Sequence, residues 1–123
     1  MKLRVVATVF LLGSCAVAPT AERQGPPVEL AGRSSGLAKR CVLVDQTSAL
    51  RVSENDRHTL LYGSGRTIWA NPLGQCGFGY DDVLVTEPLG SYRCRGDLVR
   101  SFDRSSHIPG PSCVLGDFVP YSR

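Results

Sequence analysis

Cysteine constrains this chain of 123 residues more than any other residue type. Of its five cysteines, Cys15 lies near the start, and four are spread over the remainder at Cys41, Cys76, Cys94 and Cys113. An even number of widely spaced cysteines in an exported domain of under about 100 residues predicts two disulfides. None of the four forms a C-x-x-C pair, so we predict no metal or cofactor site.

Four cysteines allow three pairings, and their spacing does not choose among them. We predict a bond from Cys76 to Cys94, because they flank one strand and its return. The second bond, from Cys41 to Cys113, would then close the ends of the domain.

The amino terminus has the pattern of a secretory signal. Lys2 and Arg4 precede an apolar run over residues 5–12 that only Thr8 interrupts, and the run is too short for a permanent membrane helix. Loss of Lys2 and Arg4 lowers the formal net charge from +3, 14 minus 11, to +1, 12 minus 11. The other arginines are scattered among acidic residues, so we expect no nucleic-acid partner.

The end of this run, Leu12-Gly13-Ser14-Cys15, resembles the lipobox of bacterial lipoproteins. The resemblance implies a signal peptide over residues 1–14 and a lipid on Cys15, by which the protein is attached to the membrane. Ala16 follows Cys15 where an Asp commonly signals inner-membrane retention, so we expect the outer membrane, facing the periplasm. The alternative is ordinary cleavage after Ala18 and a soluble periplasmic protein, although Pro19 is unfavourable for that cleavage.

Residues 15–40 are rich in Ala, Pro, Gly and Ser and have no sustained apolar period, so we predict a lipidated cysteine followed by a disordered tether. The domain proper is predicted to span residues 41–123. Its clearest element is a β-hairpin, in which strands at 59–62 and 66–70 flank Gly63-Ser64-Gly65.

Further short apolar runs separated by turn residues lie at 50–53, 83–86, 98–102 and 114–119. No segment outside the signal has a sustained helical period. The sequence therefore predicts an all-β domain of about six short strands, a small antiparallel barrel or sandwich stapled by disulfides.

Several motifs resemble functional sites but have simpler interpretations. Arg95-Gly96-Asp97 is the tripeptide of some adhesion ligands, yet between a half-cystine and a strand we interpret it as a turn capped by Asp97. Residues 74–79 are glycine-rich but lack a phosphate-loop context, so we predict a loop around a disulfide. Asp81 and Asp82 are adjacent, and on a strand they would point to opposite faces.

The residues of a hydrolase triad, Asp103, Ser105, Ser106 and His107, lie in one short loop, and such close neighbours seldom adopt the required geometry. His58 and His107 are single histidines without an evident metal partner. We therefore predict no catalytic residue.

The second half of the chain resembles a known family. The segments "NPLGQCGFGY", "CRGDLVRSFDR" and "PGPSCVLGDFVPY" are similar to motifs of the family catalogued as domain of unknown function 6491, small exported proteobacterial proteins that often have a lipobox. The resemblance covers about residues 41–121 and implies that the positions typical of the family are Cys41, Cys76, Cys94, Cys113, Gly96, Asp97, Gly116 and Phe118. The chain departs from the family at Ser101 and at Gly77-Phe78-Gly79. The family implies location and architecture but no activity.

Two functions remain open. We favour a non-catalytic envelope lipoprotein whose β-domain is an interaction or structural module that binds an envelope protein or surface polymer. The alternative is a small periplasmic enzyme or ligand-binding protein with a concave pocket near the hairpin, lined by His58, Arg66 or Trp69.

Overall fold

The computed structural model describes residues 13, 26–44, 49–87 and 90–123 of the chain. Cys15 and all of the predicted signal peptide except Gly13 lie outside the described residues. Within them, one short 3₁₀ helix at Val28–Leu30 is followed by ten β-strands and no α-helix. The strands are β1 (Ser34–Ser35), β2 (Cys41–Leu43), β3 (Arg51–Val52), β4 (Thr59–Tyr62), β5 (Thr67–Pro72), β6 (Asp82–Thr86), β7 (Tyr92–Cys94), β8 (Leu98–Asp103), β9 (Cys113–Val114) and β10 (Val119–Ser122).

The ten strands form three antiparallel sheets. A five-stranded sheet has the order β1-β10-β5-β4-β3, a two-stranded sheet pairs β2 with β7, and a three-stranded sheet has the order β6-β8-β9. The predicted all-β, antiparallel, disulfide-stapled fold is confirmed. The predicted number of strands was too low, because β1, β2 and β7 were missed and the run at 114–119 is divided between β9 and β10.

The predicted hairpin is confirmed and forms the centre of the largest sheet. Strands β4 and β5 pair antiparallel from Thr59 opposite Pro72 to Tyr62 opposite Trp69. In the turn between them, Gly63 and Gly65 have φ of 86° and 79°. Residues with a side chain rarely adopt positive φ, so the two glycines are what allows so short a reversal.

The core has two parts, one on each face of the five-stranded sheet. The larger part includes Leu60, Tyr62, Phe78, Val99 and Phe118, all buried, and packs this sheet against the three-stranded one. On the other face, Leu61, Ile68 and Ala70 pack with Leu30 of the 3₁₀ helix. All four residues of β4 are therefore buried, because both faces of this strand are covered.

The prediction of a disordered tether through residue 40 is wrong for its described part, residues 26–40. Leu30 is buried on the sheet, and β1 pairs with β10. Glu29 accepts hydrogen bonds from Ser53 Oγ at 2.9 Å and from the Glu54 backbone N–H at 2.7 Å. The buried leucine, the pairing of β1 with β10 and these polar contacts all favour the ordered conformation, and none of them is evident from the composition of the segment.

The predicted disulfide pairing is also wrong. Cys41 is bonded to Cys94, and Cys76 is bonded to Cys113. The reason is the missed pairing of β2 with β7, in which Cys41 and Cys94 lie directly opposite each other. The second disulfide attaches the glycine-rich loop to β9.

Candidate functional site

The three-stranded sheet exposes one apolar face, which we call the outer face. Its exposed apolar residues are Val85 on β6, Leu98 on β8 and Val114 on β9, at 39%, 44% and 58% of their full surface, and Arg100 on β8 is exposed beside them. Val85 is paired with Arg100, and Leu98 with Val114, so these side chains share one face. The alternate residues Val99, Ser101 and Cys113 are buried on the opposite face. An exposed cluster of apolar side chains on a sheet is a common feature of interaction surfaces.

A shallow cavity of about 280 Å³ lies at one end of the outer face. Val85 and Leu98 supply apolar atoms, and Gly96 supplies backbone. The charged side chains that line it are Glu87, Asp97 and Arg100. A small apolar surface beside two carboxylates and one guanidinium can bind a partner that combines apolar groups with a complementary charge.

The Arg95-Gly96-Asp97 triplet forms a turn at the edge of this cavity, as predicted. Gly96 has φ of 92°, and Asp97 Oδ2 accepts a hydrogen bond from the Cys94 backbone N–H at 2.8 Å. Gly96 N–H donates to the Leu115 carbonyl at 2.9 Å, and Leu115 N–H donates to the Asp97 carbonyl at 2.9 Å. The carboxylate of Asp97 is thus part of the structure of the turn, in contrast to the freely presented Asp of an adhesion loop.

A buried arginine lies beneath the far end of β6. Arg93 on β7 is 7% exposed, and its Nη2 donates to Thr86 Oγ1 at 3.2 Å. Its guanidinium lies 5.2 Å from the centroid of the Tyr62 ring. Its Nε and Nη1 atoms have no hydrogen-bond partner within the part of the chain that the structure describes. Arg93 therefore joins the end of β6 to β7, and two of its nitrogen atoms have no acceptor among the described residues.

The side chains at residues 103–107, which include the residue types of a hydrolase triad, do not form a catalytic arrangement. Asp103 Oδ1 accepts hydrogen bonds from the backbone N–H groups of Ser105 and Ser106 and from Ser106 Oγ, at 2.9, 2.8 and 3.0 Å. These bonds lower the pKa of Asp103 below its ordinary value, and the two bonds from Ser106 have the largest effect. His107 is exposed and makes an edge-to-face contact with the Phe102 ring. The cluster is an Asx turn that closes a loop.

The other sequence candidates also have local structural roles. His58 Nδ1 lies 3.0 Å from the Cys76 carbonyl oxygen. The glycine-rich loop is fixed by the Cys76 disulfide, and Phe78 within it is completely buried, which agrees with its interpretation as a loop around a disulfide. Asp82 Oδ2 accepts a hydrogen bond from Gly79 N–H at 2.8 Å, and Asp81 is exposed in a turn.

The suggested pocket near the hairpin is not formed by the three residues named for it. His58 precedes β4, whereas Arg66 lies in the turn at the opposite end of the hairpin. Trp69 packs against the core, and the Lys39 ammonium lies 5.5 Å from the centroid of its ring. These three side chains therefore do not converge on one site.

Among residues 13, 26–44, 49–87 and 90–123, no group of three or more His, Cys, Asp or Glu side chains is arranged to hold a metal ion. No helix in the same described ranges is long and apolar enough to cross a bilayer.

Comparison of the chain with protein-family models, with curated proteins and with solved structures gave no match. The resemblance to the domain of unknown function 6491 family therefore rests on the sequence motifs alone and stays a prediction.

The outer face was missed by reasoning from the sequence. Strands β6 and β8 were predicted, but each carries apolar residues on both faces, so the pattern does not show which face is buried. A usable signal was the position of Arg100 between Val99 and Ser101: a charged residue in the middle of a short strand marks its solvent face.

Proposed function

We propose that this protein is an envelope lipoprotein whose β-domain is a non-catalytic interaction module, and that the outer face of β6, β8 and β9 is its contact surface. One observation carries the proposal: Val85, Leu98 and Val114 are exposed together on one sheet face. Leaving such a cluster in water has an unfavourable hydration cost that a bound partner would remove.

The charges beside the face indicate the kind of partner. Glu87 and Asp97 provide two carboxylates in the cavity, against one guanidinium from Arg100. A protein segment with apolar side chains and a flanking Lys or Arg would match this distribution. Exposed apolar side chains next to charges of both signs are a combination found at protein interfaces, so we favour an envelope protein over a surface polymer as the partner.

The location of the module follows from the sequence of the signal. Lipid attached to the Cys15 thiol would hold the domain at the membrane, and several acyl chains make release slow. The two disulfides of the domain are compatible with an oxidising compartment such as the periplasm. Labelled palmitate should be incorporated into the wild-type protein and not into a Cys15→Ser variant. Wild-type protein that takes up no palmitate and is free in the periplasm would contradict the lipid anchor. The contact surface would then be tested independently of it.

The contact surface can be tested by site-specific photo-cross-linking in intact cells. A photoreactive amino acid in place of Leu98 should yield one discrete adduct, because this side chain lies on the outer face. The matched control is Leu37, which is 89% exposed but lies in the segment between β1 and β2. Equal labelling from positions 98 and 37, or no adduct from 98, would contradict the proposal. An adduct with polysaccharide in place of protein would correct the class of partner.

A further inference from the structure

Strand β6 lies at the edge of the three-stranded sheet. In the described part of the chain, β8 is the one strand paired with it. The register runs one to one, from Asp82 opposite Asp103 to Thr86 opposite Val99, with no bulge. The β6 strand therefore presents a regular backbone edge that no described strand covers, and at its start the Asp82 N–H donates to the Gly79 carbonyl at 3.1 Å.

The backbone hydrogen bonds of β8 show which groups form this edge. Ser101 and Asp103 bond to Gly110 and Ile108, on the side of β8 away from β6. Because the direction of backbone groups alternates along a strand, Arg100 and Phe102 must face β6, where they pair with Val85 and Val83. The N–H and C=O groups of Leu84 and Thr86 consequently point outward from the open edge.

The edge of β6 also lacks the features that usually prevent strand addition. The other strands at sheet edges have two or three residues, whereas β6 has five. From Val83 to Thr86 there is no Lys, Arg or Pro, and the straight register does not turn the edge away. Proteins usually protect a regular edge of this kind with one of those features.

We propose that β6 pairs antiparallel with β6 of a second copy of this chain, about a two-fold axis at Leu84. The sequence of the strand, DVLVT, is symmetric in its apolar residues. Pairing about Leu84 puts Val83 of each copy opposite Val85 of the other. Asp82 then lies opposite Thr86, so no like charges face each other within the strand, and the acidic Asp81 and Glu87 meet only beyond its ends.

This pairing would join two three-stranded sheets into one sheet of six strands. The outer faces of the two copies would then lie on the same side of one sheet, where each Val85 is adjacent to Val83 of the second copy. Self-pairing of identical patches is the usual geometry of a two-fold dimer. The inference goes beyond the proposed function, because it requires only the edge of β6 and not a partner on the outer face.

The register makes a specific prediction for cysteine cross-linking. The pair of Val83 and Val85 across the axis is a non-hydrogen-bonded pair, with Cα atoms about 4.5 Å apart, within the range for a disulfide. Val83→Cys and Val85→Cys chains, with different epitope tags, are co-expressed with their signals intact and analysed without reduction. The mixed pair should form disulfide-linked dimers about tenfold more than either variant alone.

A matched control distinguishes pairing from collision. Val114→Cys lies on the same outer face but on β9, at the opposite edge of the sheet. Cross-linking from Val114→Cys at the level of the mixed pair, or cross-linking of Val83→Cys mainly to another protein, would overturn the proposal.

A second measurement avoids new cysteines. Two tagged wild-type chains should co-purify in detergent; Val85→Lys should abolish co-purification, whereas Val114→Lys should not. Failure of wild-type co-purification overturns the dimer. The photo-adduct at position 98 tests the proposed function separately.

Discussion

The side chain of Asn71 and the backbone of Gly116 form a reciprocal pair of hydrogen bonds. Asn71 Nδ2 donates to the Gly116 carbonyl at 2.8 Å, and Gly116 N–H donates to Asn71 Oδ1 at 2.8 Å. Asn71 is completely buried on β5. The pair thereby joins the central hairpin to the connection between β9 and β10.

Replacing Asn71 by Leu keeps the branch at Cγ and the number of side-chain heavy atoms but removes both bonds, because methyl groups neither donate nor accept hydrogen bonds. Because two backbone groups of Gly116 would lose their partners, we expect the free energy of unfolding to fall by about 2 to 4 kcal/mol. Denaturant unfolding measures this loss. Gln75→Leu is the control, since Gln75 is exposed and its replacement should change stability by less than about 0.5 kcal/mol. Equal effects of the two substitutions would show that the Asn71 pair does not stabilise the fold.

Removal of either disulfide should by itself lower the stability of the fold. The bonded cysteines are separated by 53 and 37 positions along the chain. By the chain-entropy model, replacing both cysteines of either bond by Ser should lower the unfolding free energy by about 4 kcal/mol. Peptide mapping without reduction should find Cys41 with Cys94 and Cys76 with Cys113. Any other linkage would contradict the strand pairing of β2 with β7.

Asp103 should titrate below the usual range. Its hydrogen bonds from Ser106 and Ser105 lower its pKa below 3.8 in the folded state. A group with a depressed folded-state pKa stabilises the fold above its unfolded pKa, and this stabilisation is lost as the pH falls through the folded pKa. The loop at residues 103–108 should therefore lose this stabilisation only below pH 3.8. NMR titration of the carboxyl carbon checks this, and a midpoint at or above 3.8 would contradict the hydrogen-bond network.

Arg93 should be replaceable without loss of stability. Within the described residues, Nε and Nη1 of its buried guanidinium have no acceptor, and Nη2 donates one hydrogen bond, to Thr86 Oγ1. Burial of a charge that is incompletely paired costs several kcal/mol, and apolar residues of similar volume often relieve this cost. We expect Arg93→Met to unfold at an equal or higher denaturant concentration. A loss of more than about 2 kcal/mol would show that the contacts with Thr86 and the Tyr62 ring outweigh the desolvation cost.

The sequence predicted those parts of the fold whose signals are local. Gly63 and Gly65 lie between two short apolar strands, and both the turn and the pairing follow from neighbours in the chain. Strands of two or three residues, such as β1, β2 and β7, are too short to show a period, and they exist because distant strands pair with them. The disulfide pairing was wrong for the same reason.

The ordered conformation of residues 26–40 was also beyond local reasoning, whereas the outer face had one local signal, the charged Arg100 in the middle of β8. Leu30 is ordered because it covers Leu61, which is far along the chain. The outer face depends on which side of β8 packs on the core, and Val99 and Leu98 are equally apolar in sequence. Only the packing of Val99 against the large core cluster leaves Leu98 exposed.

Retention of envelope components by outer-face variants tests the central claim most directly. Wild-type protein and variants Leu98→Lys and Leu37→Lys are immobilised and exposed to the detergent-solubilised envelope of the host. Both leucines are exposed, so neither substitution should change stability by more than about 0.5 kcal/mol. We predict that Leu98→Lys retains about tenfold less of the component cross-linked from position 98, because a Lys ammonium disrupts the apolar contact. Leu37→Lys should retain as much as wild type, and equal retention by all three proteins would contradict the assignment of the outer face as the contact surface.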